Sequence, residues 1–185
     1  MAKSVTPGYR VVYPNRAKAA SKTTKAVVAL ILLVSAALLL LVSVGGWSKL
    51  QGLKGVNLIW AMLYVVMAFY IFARWARGLL PICAALGLLL LLLAVVAGVG
   101  ISGTSWFDRN HPAFAAPQTI FGGKGLSPDV LGLVTVLLIP VQALLISFAM
   151  LGFTQGWNVE TEVPDDEDRA QRRRRSSSST KPAAA

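Results

Sequence analysis

The side chains able to do chemistry in this chain are few and scattered. Asp108 and His111 stand three residues apart in the stretch Trp106-Phe107-Asp108-Arg109-Asn110-His111-Pro112. A carboxylate and an imidazole at that spacing could share a ligand or pass a proton. Two donors fall short of the three or four that a metal site takes, and His111, the only histidine, has no nucleophile placed beside it in sequence. The pair therefore reads as a hydrogen-bonded loop or docking surface. Gly122-Gly123-Lys124-Gly125 has the glycines and lysine of a phosphate loop but lacks its strand and helix context, so it reads as a turn. Cys83 is the only cysteine and sits in an apolar run. A thiol ionises poorly there, and it reads as a small packing residue. A haem held between helices would need axial ligands that one loop histidine cannot supply, and we expect no cofactor and no metal.

The elements that must position these groups are four apolar stretches, 26–44, 55–73, 79–101 and 130–153. Each approaches the roughly 20 helical residues that cross a hydrocarbon layer of about 30 Å. The chain as a whole is 55% hydrophobic and 14% charged, with a mean hydropathy of +0.62. Those values belong to an integral membrane protein. We expect an all-α, polytopic chain of four transmembrane helices, with a basic, largely unstructured arm over 1–25 and a disordered, charged tail over 158–185. The second and third stretches read as a membrane hairpin turning on Arg74-Trp75-Ala76-Arg77. The first stretch is too long for the apolar region of a secretory signal and reads as a retained span.

Local signals sharpen this outline. Ser127-Pro128-Asp129 has the residue types of N-cap, N1 and N2, so a helix should begin there, with the aspartate near the positive end of its dipole. Pro140 removes the hydrogen bond to the Val136 carbonyl, and a kink is expected. Gln142, two residues on, is the most polar side chain at membrane depth and calls for a partner such as Tyr64 or Ser35 on another helix. Tyr64 is deep enough for its hydroxyl to face protein. Cys83, Gly87, Ala94, Gly98 and Ser102 put small side chains roughly on one face of the third helix. That face suits close helix approach, inside the bundle or on a partner.

Charge sets the expected orientation. The net charge is +10, but the basic residues cluster at the ends and at the hairpin turn, where topology explains them and nucleic acid is not implied. Six Lys and Arg lie in 1–25, two in 74–77 and six in the tail, against Lys49, Lys54, Arg109 and Lys124 in the intervening loops. The positive-inside rule then puts both termini in the cytoplasm and the 102–127 loop outside. Trp47, Trp75, Trp106 and Trp157 fall near the expected interfaces.

No Asp, Glu, Lys, Arg or His lies inside the four stretches as bounded above. Proton-coupled transporters and ion pumps need such a residue at depth. The topology resembles that of claudin-like and tetraspanin proteins, without their extracellular cysteines or the claudin tryptophan and cysteine pattern. The Ala, Leu, Val and Arg bias points to a bacterial inner membrane.

Our reading is a non-catalytic accessory, assembly or scaffolding subunit of a larger membrane complex. Gly87, Ala94, Gly98, Ser102, Trp106, Phe107 and Gln142 are its candidate partner contacts. Arg74, Arg77 and the run Arg172, Arg173, Arg174, Arg175 are candidate contacts for anionic lipid head groups. A second reading is an oligomeric channel or transporter for neutral solutes with Pro140 and Gln142 near the path. A third is an enzyme acting on lipid through Asp108 and His111.

Overall fold

The computed structural model describes residues 8–50, 53–99, 107 and 117–164. Three quarters of these are helical, and among them four helices are long and apolar enough to span a membrane. In chain order the elements are β1 (Tyr9–Val12), α1 (Pro14–Ala17), α2 (Ala19–Gly45), α3 (Lys54–Arg74), α4 (Leu79–Ala94), α5 (Pro128–Thr154) and β2 (Thr161–Pro164). A short 3-10 turn at Trp47–Lys49 follows α2, and α4 runs on as a π-helical turn over Val95–Val99.

The start of α5 follows from its sequence. Ser127 is the N-cap, its Oγ accepting from Val130 N at 3.4 Å, with Pro128 in the first turn and Asp129 beside it. The helix continues through Pro140 to Thr154. Buried positions recur at helical spacing in every long helix: Val28, Leu32, Ser35, Ala36 and Leu39 on α2, and Ala61, Tyr64, Ala68 and Ile71 on α3. On α4 they are Leu80, Cys83, Gly87, Leu90 and Ala94, and on α5 Leu131, Leu138, Gln142, Leu145 and Ala149. These stripes meet in one core, with a second cluster of Val42, Leu50, Phe107, Leu131 and Val134 towards one end.

Two features depart from the sequence reading. First, 1–25 is not uniformly unstructured, nor is the segment after α5. The described part of the arm forms β1 and α1, and α2 already begins at Ala19. β1 pairs antiparallel with β2, Tyr9 opposite Pro164 and Val12 opposite Thr161. The mostly helical class stands, with this one small ribbon added to it. Both strands carry β-branched or aromatic residues, but four residues are too few to hold a strand alone, and the partner lies at the other end of the chain.

Second, α3 and α4 are consecutive yet do not pack as a hairpin. α3 lies against α2, α4 against α5, and α2 against α5, while α3 and α4 touch only sparsely. The turn between them explains the divergence. Trp75 caps α3 in the left-handed conformation, φ 55° and ψ 39°, where a glycine would sit without strain. A residue with a side chain is held there by contacts of that side chain.

Candidate functional site

At one end of the bundle the two flanks and the α3–α4 turn converge. The ring of Trp75 meets that of Trp157 edge to face, centroids 5.5 Å apart at 89°. Lys25 Nζ lies 3.9 Å from the Trp75 ring centroid, a cation–π contact that helps hold the strained residue. Trp157, which the sequence placed at a membrane interface, is wholly buried in protein. Its Nε1 donates to Gln155 Oε1 at 3.0 Å, and Gln155 Nε2 donates to Thr24 Oγ1 at 2.8 Å. Gly152 leaves room for the indole, since a Cβ there would stand 3.1 Å from Trp157 Cζ2.

Basic side chains at this end close the chain on itself. Arg16 Nε donates to the Trp157 carbonyl at 3.2 Å and its Nη2 to Asn158 Oδ1 at 3.1 Å. Asn15 Nδ2 donates to the Gly156 carbonyl at 3.0 Å. Arg77, a candidate lipid contact, donates from Nε to the Phe153 carbonyl at 2.9 Å and lies over the Phe153 ring. Its guanidinium thus satisfies a carbonyl at the α5 C-terminus, where a cation also suits the dipole. Arg74 is exposed at the end of α3. Arg172, Arg173, Arg174 and Arg175 lie outside the described residues.

The Tyr13 hydroxyl donates to Glu160 Oε1 at 3.1 Å across the ribbon end. That hydrogen bond first, and the carboxylate charge second, raise the Tyr13 phenol above its ordinary value of 10.0. A raised value means that folding favours the neutral phenol. The stabilisation is complete below the ordinary tyrosine range and is lost as pH climbs through the folded value. In an alkaline titration followed by tyrosinate absorbance, Glu160→Gln should bring the Tyr13 transition earlier while leaving the other tyrosines unmoved. An unchanged curve in that variant would remove the assignment.

The middle of the bundle holds a polar link between three helices. The Tyr64 hydroxyl donates to Gln142 Oε1 at 3.0 Å, and Gln142 Nε2 donates to Ser35 Oγ at 2.8 Å. Ser35 in turn donates to the Ile31 carbonyl at 2.8 Å. All three side chains are fully buried, so α2, α3 and α5 are joined by a chain of hydrogen bonds out of contact with any open path.

The small-residue face of α4 lies inside the bundle. A Cβ on Gly87 would stand 3.3 Å from Ile146 Cγ1 and 3.5 Å from Gln142 Oε1, and one on Gly98 would stand 2.9 Å from Val136 Cγ2. Ala94 is buried on the same face. This answers the alternative left open by sequence: these residues let α4 approach α5, and their own chain covers them. Phe107 is also buried, in the second cluster. Ser102, Trp106, Asp108 and His111 lie outside the described residues. Cys83 is buried, its Sγ 3.6 Å from Met67 Sδ.

At the opposite end, the segment after α2 is tied to the residues before α5. Gln118 N donates to Ser48 Oγ at 2.8 Å, and Leu126 N donates to the Gly45 carbonyl at 2.9 Å. Gly122-Gly123-Lys124-Gly125 closes a turn, with Thr119 N donating to the Gly123 carbonyl and Gly122 at φ +81°. Lys49 is buried nearby, and loss of water pushes its ammonium down from the ordinary value. Among the described residues no group of three or more His, Cys, Asp or Glu gathers in metal-binding range.

Comparison of the chain with models of known protein families, with curated proteins and with solved structures finds no match. Functional inference therefore rests on the geometry alone. Sequence reasoning missed Tyr13, Asn15, Arg16 and Trp157 as parts of one assembly. The available signal was the β-like run Tyr9-Arg10-Val11-Val12 matched by Thr161-Glu162-Val163.

Proposed function

We propose that the chain is a non-catalytic membrane protein with both flanks in the cytoplasm, serving as an accessory, assembly or scaffolding subunit of a larger complex. The bacterial inner membrane is the home its composition favours. The observation that carries this reading is the outer face of α3. Ile59, Met62, Val66 and Phe69 are all exposed, and their spacing of three, four and three residues makes a continuous seam of the kind that receives another helix. α3 is also the helix held by one neighbour, α2, in the main.

Other features agree with a structural role. Ser35, Tyr64 and Gln142 in the interior are bonded to one another, and β1 and β2 pair at one end of the bundle, an arrangement compatible with the Lys and Arg asymmetry. The partner surface moves accordingly from the small-residue face of α4 to α3. A neutral-solute path through Gln142 draws no support, because its amide is enclosed and bonded to Tyr64 and Ser35.

The test is purification in mild detergent through a C-terminal tag, followed by native sizing and mass spectrometry. Membrane partners in fixed ratio are expected, and Met62→Arg should release them while the chain itself stays folded. A chain that runs alone, or only with itself, overturns the subunit reading.

A further inference from the structure

Where α3 and α4 diverge, the bundle is hollow. A cavity of about 280 Å³ lies between α2, α3, α4 and α5, lined by Leu39, Val56, Trp60, Leu90, Ala94 and Leu138 among others. Its size is close to the lower limit for small-ligand sites. The π-helical turn Val95–Val99 forms part of one wall through Val96. Such turns widen a helix and recur at functional positions.

The lining decides what can occupy it. Of its polar members, Thr135 already donates its hydroxyl to the Leu131 carbonyl at 2.8 Å. The indole Nε1 of Trp60 is buried and makes no well-formed hydrogen bond among the described residues, although it lies beside the Tyr64 hydroxyl. The Tyr64 hydroxyl one turn on is committed to Gln142. Asn57, one turn before Trp60 on the same helix, also lines the space. A wall this apolar does not hold water. It suits a hydrocarbon chain, and the two donors suit a carbonyl oxygen near one end of that chain.

The opening faces the same medium as the outer surface. Lining residues Leu53, Val56, Leu93 and Val96 are exposed apolar side chains, continuous with the surface that would meet lipid. Asn57 lies in the first turn of α3, a helix of 21 residues, or about 30 Å. If α3 spans the bilayer, Asn57 stands within about 5 Å of the edge of the hydrocarbon layer, where the ester groups of a glycerolipid lie, and Trp60 about 9 Å in from it.

We propose that this cavity takes one acyl chain of a membrane glycerophospholipid, its ester carbonyl accepting from Asn57 or Trp60. The proposal rests on the membrane reading above and is independent of the subunit reading.

The experiment is photo-cross-linking of the full chain in vesicles containing phosphatidylglycerol with a diazirine in one acyl chain, the labelled residues being mapped by mass spectrometry. Leu39 and Leu138 are each only 3% exposed and line the cavity, so surrounding lipid reaches them only by entering it. Label is expected on both, above the level at Ile71, which is fully buried elsewhere. Val56→Trp, which blocks the mouth from an exposed position, should abolish that inner label and leave the label on exposed Leu88 and Met150 unchanged. Inner label no higher than at Ile71, or unaffected by Val56→Trp, overturns the proposal. A neutral isoprenoid recovered in equal ratio in place of phospholipid overturns the choice of occupant. Failure to label Leu88 and Met150 removes the membrane reading, and this proposal with it.

Discussion

Replacing Trp157 with alanine is expected to lower the stability of the bundle by about 3–5 kcal/mol, the range for deleting a buried tryptophan that its surroundings cannot refill. The surroundings here are poorly able to refill it. Trp75 is fixed in the left-handed region with its ring against the indole, and Gly152 has no side chain to move in. The substitution also strips Gln155 Oε1 of its donor. Equilibrium unfolding in detergent or bicelles would measure the loss. Amide exchange at Tyr9–Val12 should quicken in the same variant, because the ribbon stands on the end of the bundle that Trp157 fills. Trp157→Phe keeps an aromatic ring and should cost clearly less. Equal stability of Trp157→Ala and the parent chain would mean that the terminal assembly contributes nothing to the fold.

The second large effect is expected at Gln142. Gln142→Ala removes the amide and leaves a hole among Tyr64, Ser35 and Gly87, and about 2–4 kcal/mol is expected from the combined loss of packing and hydrogen bonding. Gln142→Leu separates the two contributions, since it retains most of the volume. Hydrogen bonds between membrane helices contribute about 0.6 kcal/mol each and at most about 1.7, so two of them set about 1–3 kcal/mol for the leucine variant. Tyr64→Phe removes one partner without changing shape, and a double-mutant cycle with Gln142→Leu isolates the link between α3 and α5. A cycle with no coupling energy would show that the 3.0 Å contact contributes no stability.

Some local readings agree with the structure, and the reasons are physical. The helix start at Ser127 needs only three neighbouring residues and a hydroxyl that reaches Val130 N. Tyr64 and Gln142 were identified as needing partners because a buried hydroxyl or amide without one is costly in an apolar interior. Arg77, by contrast, was read from its position as a lipid contact, yet it reaches a carbonyl 76 residues away. Nothing within its own segment signals that contact. Trp157 was assigned to an interface on the general preference of tryptophan, and only the closing of the chain buries it.

The sequence by itself determined the class of this protein: four helices of membrane-crossing length, where the last begins, and which polar groups must be satisfied. Length, apolar content and capping are properties of consecutive residues, so no fold is needed to read them. The tertiary structure alone decided which faces meet. In helices this rich in leucine, the face that packs and the face that would meet lipid are chemically alike, because a bilayer is as apolar as a protein interior. Periodicity then loses the contrast that marks a core in water. For that reason the small-residue face of α4 was legible while its cover, α5, was not, and the divergence of α3 from α4 and the cavity between them had no linear signal. The β1–β2 ribbon left two short β-like runs in the sequence, but their pairing did not show there, because the strands lie at opposite ends of the chain and become neighbours only when the bundle between them is in place.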